Sequence, residues 1–147
     1  MKKYFFPFLL LVLPFVAGAQ ILSPVKWSYS AKKTGANQYE LHMKAVIDDS
    51  WHVYAQDAGD GPVPTSFKFD GNAGLQRIGK VKEVGKEKKM YDRNFQSVLK
   101  FYEKNVDFVQ VVKVKPGTQS VKGTLEYMVC DNHQCLPPKD IDFEIRL

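Results

Sequence analysis

Cysteine and histidine are scarce in this chain, with two of the first and three of the second in 147 residues. That scarcity closes off most metal and hydrolytic chemistry. The paired C-x-x-C of zinc sites is missing. Neither a serine nor a carboxylate stands at a recognisable motif spacing from His42, His52 or His133. His52 follows Trp51 in a predicted strand and reads as a packing or surface residue rather than a base. The glycines at 59–61 and 71–74 are not followed by G-K-[ST], which excludes a phosphate loop. Basic residues outnumber acidic ones only 21 to 16, and they are scattered apart from Lys86, Lys88 and Lys89, with no Arg-rich stripe. Nucleic acid is therefore not an expected partner. Repeats, low-complexity tracts and linkers are missing too.

Tyr4–Val16 is a 13-residue apolar run, too short to cross a bilayer as a helix and interrupted by Pro7 and Pro14. Lys2 and Lys3 precede it, and Ala17-Gly18-Ala19 places small residues at the −3 and −1 positions of a cleavage site. Residues 1–19 thus read as a cleaved signal peptide. No cysteine follows the run, so no lipid anchor is expected. The mature chain, 20–147, is expected to be soluble, without a membrane span, and to form one domain around one core. Export to an oxidising compartment permits disulfides, and two cysteines fit one bridge.

What the chain has in quantity is alternation with period two. Val25, Trp27 and Tyr29 alternate with polar partners, as do Tyr39, Leu41, Met43, Ala45 and Ile47. Val106, Phe108, Gln110, Val112 and Val114 share a face, with Val109 and Val111 making the other face partly apolar, as in a central or doubly covered strand. Val121, Leu125, Tyr127 and Val129 form one further set, and Ile141, Phe143, Ile145 and Leu147 close the chain. Turn residues fall between these runs, at 34–37, 59–62, 70–74 and 116–117. The pattern predicts an all-β, immunoglobulin-like antiparallel β-sandwich of about eight strands. Lys80–Phe95 fits least well, being crowded with charge and lacking alternation; it reads as a short charged helical turn or a long surface loop.

Both cysteines lie in Cys130-Asp-Asn-His-Gln-Cys135-Leu-Pro-Pro138. Strand parity with Leu125, Tyr127 and Val129 inward puts Cys130 on the outer face with Glu126 and Met128, near solvent. Asp131–Gln134 is a four-residue hairpin loop, and Pro137-Pro138 withholds ladder hydrogen bonds from the return. A bridge closing a loop of about six residues stabilises by roughly 2 kcal/mol, about half of what a long-range bridge gives. Short cross-strand bridges are also the more easily reduced kind. Both points favour an exchanging disulfide over a staple. His133, between the thiols, would tune them if its imidazolium lies near a sulfur; otherwise it is a solvated loop residue. Cys130, His133 and Cys135, with Met128, are a possible soft-metal set, though without a convincing fourth ligand; no metal and no cofactor is expected.

Tyr127-Met-Val-Cys130, the short loop and Cys135-Leu-Pro-Pro138 together resemble the N-terminal domain of the thiol:disulfide interchange protein DsbD, the disulfide bond corrector domain. Trp51-His-Val-Tyr54 and Gly61-Pro-Val-Pro-Thr65 resemble a segment of its Bacteroidetes-like members. The resemblance spans essentially all of 20–147. It implies a periplasmic domain whose cysteine pair takes electrons from a thioredoxin-like domain and passes them to disulfide isomerases or to thioredoxins of cytochrome c maturation. By position, Cys135 matches the attacking cysteine and Cys130 the resolving one. Met90 and Tyr91 match an aromatic pair in a cap loop that shields the sulfurs. The chain departs from the better known members in having four rather than five residues between the cysteines. It also has Lys88 and Lys89 where their cap is acidic.

The expected function is thus protein-disulfide reductase-type exchange, with thioredoxin-like proteins and a membrane electron carrier acting in trans. The alternative is a non-enzymatic secreted binding module with a structural disulfide, using Trp27, Trp51, Tyr54 and Tyr91 as an aromatic contact surface.

Overall fold

The computed structural model describes residues 22–71, 74–92 and 95–147. The predicted signal peptide, 1–19, lies outside the described residues. Eleven strands run through the described residues: β1 (Val25–Gly35), β2 (Gln38–Ile47), β3 (His52–Tyr54), β4 (Ser66–Phe69), β5 (Gln76–Gly85), β6 (Lys88–Asp92), β7 (Ser97–Tyr102), β8 (Asn105–Lys113), β9 (Ser120–Tyr127), β10 (Val129–Cys130) and β11 (Lys139–Arg146). No α-helix occurs among the described residues.

The strands form three antiparallel sheets, ordered β1-β2-β8-β5, β11-β9-β4 and β10-β3-β7-β6. The first two face each other through the alternating residues, as the immunoglobulin-like prediction requires. Leu41, Met43, Val106 and Phe108 from one layer and Val121, Leu125, Phe143 and Ile145 from the other are buried in one core. Aromatic pairs knit the layers: Trp27 meets Tyr127 edge-on at 5.4 Å, Phe67 meets Phe108 at 5.1 Å, and Tyr29 stacks on Phe143 at 5.4 Å. Burying such large side chains is the main force holding the sheets together. β8 is central, between β2 and β5. The outward Val109 and Val111 are half-buried rather than covered by a further layer.

Two expectations need correction. The segment Lys80–Phe95 is neither a helical turn nor a loop for most of its length: β5 runs to Gly85 and β6 pairs with β7 from Lys88 to Asp92. Its alternation is hidden because the partly buried face of β5 carries Glu83 beside Val81. Glu83 is accommodated by accepting from Tyr102 Oη at 2.9 Å and from the Gln56 N–H at 2.6 Å. A register shift between Ile78 and Lys82 further breaks the period.

The second correction concerns Cys130, which is 1% exposed. Parity itself holds, since Tyr127 and Val129 face the main core and Cys130 shares the opposite face with Met128, but that face is covered by a second cluster rather than by solvent. β9 leaves its sheet after Tyr127, Met128 belongs to neither ladder, and β10 pairs with β3 in a different sheet. In that third sheet the face bearing Cys130 is packed with Tyr54, Leu99 and Phe101.

Candidate thiol–disulfide site

The third sheet positions the site. Its register sets Cys130 opposite His52, Tyr54 opposite Phe101, and Leu99 opposite Met90. Residues directly opposite, or two apart on a strand, share a face. Cys130, His52, Tyr54, Phe101, Leu99 and Met90 therefore line one face in a row. The other face delivers Val53, Tyr102 and Val129 to the main core. Tyr54, Ala58, Leu99, Phe101 and Cys130 form a second, smaller buried cluster, with Phe95 and Met128 packed against it.

The hairpin beyond β10 folds around one carboxylate. Asp131 Oδ1 accepts the backbone N–H of His133 and of Gln134, each at 2.7 Å, and the Asp131 N–H donates to the Gln134 carbonyl at 2.9 Å. These backbone donors hold the Asp131 carboxyl below its ordinary range. The turn brings Cys130 and Cys135 into antiparallel register, where a disulfide joins them with Cα atoms 4.0 Å apart. The two cysteines differ in environment, since Cys130 is buried whereas Cys135 is exposed.

A cleft of about 460 Å³ opens over the bridge. Its buried side is made by His52, Tyr54 and Cys130, its flank by Met90, Tyr91, Asp92 and Phe95, and its rim by residues 131–135. Met90 and Tyr91 stand beside the bridge, but at 46% and 60% exposure they leave it partly open. Gly61 makes room for Phe95, because a Cβ at this position, with its φ of +122°, would run into the phenyl ring.

Two residues that sequence reasoning passed over sit at the sulfur. Tyr54 Oη donates to Cys130 Sγ at 3.2 Å, and His52 Nε2 lies 3.4 Å from that same oxygen. Burial pushes the Tyr54 hydroxyl up to about 12, with a smaller push from Asp92, so it stays protonated as a donor. Burial also lowers the His52 pKa, more than Glu103, Asp92 and Asp131 raise it. Tyr54 is fixed from behind: the Thr65 hydroxyl donates to its carbonyl at 2.6 Å, and Thr65 is itself buried. In the sequence, Trp51-His-Val-Tyr54 and Gly61–Thr65 carry the family resemblance, while His52 reads as a packing or surface residue and Tyr54 as part of an aromatic contact surface. Their alternation around a buried Val53 was the available signal.

His133 is exposed on the rim, and among the described residues no hydrogen bond joins its ring to either sulfur. No set of three His, Cys, Asp or Glu side chains among the described residues is arranged to hold a metal. The aromatic surface of the binding-module alternative is not assembled: Tyr54 is buried, and Trp27 packs between the sheets.

A family model described as the N-terminal domain of the thiol:disulfide interchange protein DsbD matches residues 18–146. The chain belongs to this family. DsbD N-terminal domains serve thiol:disulfide exchange through a cysteine pair, and this member has its two cysteines joined. Solved structures share the fold. The N-terminal periplasmic domain of ScsB from Proteus mirabilis superposes with a TM-score of 0.57 at 16% identity, over 82% of this chain and 44% of that one. The present chain thus spans less than half of the ScsB domain. The reduced DsbD N-terminal domain of Neisseria meningitidis gives 0.54 at 21% identity, covering 76% and 78%. The same organism's DsbD N-terminal domain, in complex with the PilB N-terminal domain, gives 0.55 at 19%, covering 85% and 87%. No curated protein matches the chain in sequence.

Proposed function

We propose that this domain relays electrons between proteins in the periplasm, with Cys130 and Cys135 as the exchanging pair. A thioredoxin-like donor attacks the bridge at Cys135 with one thiolate and forms a mixed disulfide; its second thiol then attacks its first sulfur, which releases Cys135, leaves the pair reduced and leaves the donor with a disulfide. Cys135 then attacks an acceptor protein's disulfide, and Cys130 resolves the intermediate by attacking Cys135. Acceptors in this reading are disulfide isomerases or thioredoxins of cytochrome c maturation, and a membrane electron carrier supplies the chain in trans. The activity class is protein-disulfide reductase. Residues 1–19 direct export and are removed.

The observation that carries the reading is the asymmetry of the bridge, one cysteine exposed and the other buried beneath it. An attacking thiolate must approach along the S–S axis, and a partner protein reaches the exposed Cys135 more readily than the buried Cys130. Family membership supports the exchange chemistry, and the Neisseria DsbD–PilB complex supports docking with a separate domain. Met90 and Tyr91 act here as a partial cap that a docking partner displaces. His133, on the rim, adds positive charge near Cys135 when protonated.

Trapping tests the assignment. The Cys130→Ala variant should accumulate a covalent complex with a thioredoxin-like protein through Cys135, resolved by dithiothreitol. A complex formed only by Cys135→Ala reverses the two roles. The pair's reduction potential should lie between about −200 and −270 mV, among known exchange proteins; below about −300 mV the bridge is structural and the binding-module reading replaces this one.

A further inference from the structure

Cys130 is the poorer placed of the two sulfurs for carrying charge. It is buried among Tyr54, Ala58, Leu99 and Phe101, an apolar setting that resists a thiolate. Exchange nonetheless requires that charge. When a donor thiolate attacks Cys135 Sγ, a donor–Cys135 bond forms and the Cys130–Cys135 bond breaks, its electron pair leaving on Cys130 Sγ. The donor sulfur is oxidised and Cys130 reduced, with no proton consumed in the bond change. In the return direction, Cys130 must again be a thiolate to attack Cys135 Sγ, rebuild the bridge and release the partner's sulfur.

We propose that Tyr54 and His52 form a buried donor relay aimed at Cys130, which holds this sulfur as a thiolate whenever the bridge opens. The inference rests on the exchange reading above and adds the groups that make the buried sulfur competent. Tyr54 is the catalytic residue, since its hydroxyl touches the reacting atom. His52 is a positioning residue that acts through Tyr54.

The direction of the relay follows from donor counting. Tyr54 has one hydroxyl proton and gives it to Cys130 Sγ at 3.2 Å. Its oxygen can then only accept from His52 Nε2, 3.4 Å away, which fixes the imidazole as the Nε2–H tautomer and leaves Nδ1 free to take a proton. The His52 ring is held by Phe101, with centroids 4.6 Å apart, and by an edge-on contact with Tyr54 at 5.2 Å. Among the described residues, the charged groups facing it are Glu103 from the β7–β8 turn, Asp92 at the end of β6 and Asp131 in the hairpin; His133 stands on the rim of the same cleft. Among the described residues that line the cleft, only His52 and His133 can carry positive charge. The charge is balanced when His52 takes one proton from solvent, so opening the bridge and protonating His52 are coupled.

The test uses the mature domain reduced chemically, without a protein partner. In Cys135→Ser, where Cys130 is the only thiol, its pKa is read from thiolate absorbance in the ultraviolet. Adding Tyr54→Phe should raise that pKa by about one to two units, the size expected for a hydrogen bond to a charged group. In the wild type, proton NMR should give His52 a higher pKa in the reduced than in the oxidised domain, the resonance being assigned by its loss in His52→Gln. A Cys130 pKa unmoved by Tyr54→Phe, or a His52 pKa independent of redox state, overturns the relay. Neither readout depends on a partner, so failure of the relay and failure of the exchange reading are separable.

Discussion

Reducing the Cys130–Cys135 bridge should weaken the fold by about 2 kcal/mol and leave it folded. The bridge closes a loop of about six residues, for which the loop-closure estimate is roughly 2.2 kcal/mol at 25 °C. The main core, from Leu41 and Phe108 to Leu125 and Ile145, contains no sulfur from either cysteine. Only the smaller cluster around Tyr54 and Phe101 includes Cys130. The expected fall in Tm is roughly 6–10 °C for a domain of this size. A thermodynamic cycle ties this loss to a potential: whatever the bridge gives the fold, the fold gives the bridge. At about 30 mV per 1.4 kcal/mol, the native pair should be about 45 mV more reducing than the same pair in the unfolded chain. Urea titration with and without a phosphine reductant measures the first quantity, and redox-buffer equilibration in water and in strong urea measures the second. A loss above about 4 kcal/mol, or outright unfolding on reduction, would refute the reasoning and mark the bridge as a staple. So would two measurements that fail to close the cycle.

Replacing Met90 and Tyr91 by alanine should speed reduction of the bridge by small thiols at a cost of about 0.5 kcal/mol per site, because both are about half exposed; an unchanged rate dismisses the cap. Gly61→Ala should cost about 1–3 kcal/mol, since its φ of +122° is closed to side chains and the new methyl displaces Phe95. A neutral Gly61→Ala would show that Phe95 seats without that close approach. The lowered His52 pKa fixes a pH dependence for the oxidised domain. Above the ordinary value of 6.5 the imidazole is neutral folded or unfolded and the full stability is present. As pH falls from there to the native value, the unfolded chain binds the proton first and stability declines. His52→Gln should flatten that decline; parallel curves for the two proteins would assign it elsewhere.

Strands with one apolar face were legible because their partners are simple. Leu41, Met43, Ala45 and Ile47 all point into one core, and so do Val121, Leu125 and Tyr127. The family was legible from the hairpin, since two cysteines at that spacing before a proline pair carry a specific signature. β5 and β6 were not, because Glu83 occupies a position that alternation reserves for an apolar residue and is accommodated only by Tyr102 and the Gln56 N–H. The burial of Cys130 escaped for a different reason. Parity puts it on the face opposite Val129, and nothing in Tyr127-Met-Val-Cys130 announces that this face is covered by Tyr54, Leu99 and Phe101 once the chain joins β3. His52 and Tyr54 looked like packing residues because they are: they are buried, and only the register across β3 and β10 reveals that they pack against sulfur.

β3 is three residues long, and its middle residue serves a different master from its ends. Val53 belongs to the large core, while His52 and Tyr54 face the bridge. Selection acting on this tripeptide is therefore split by parity. A deep mutational scan scored once for abundance and once for electron transfer should give two different tolerance profiles over these neighbours. Val53 would be restricted in both, to residues of its own volume. His52 and Tyr54 would be freer in the first score and confined in the second, so that the boundary between folding and chemistry falls between adjacent codons.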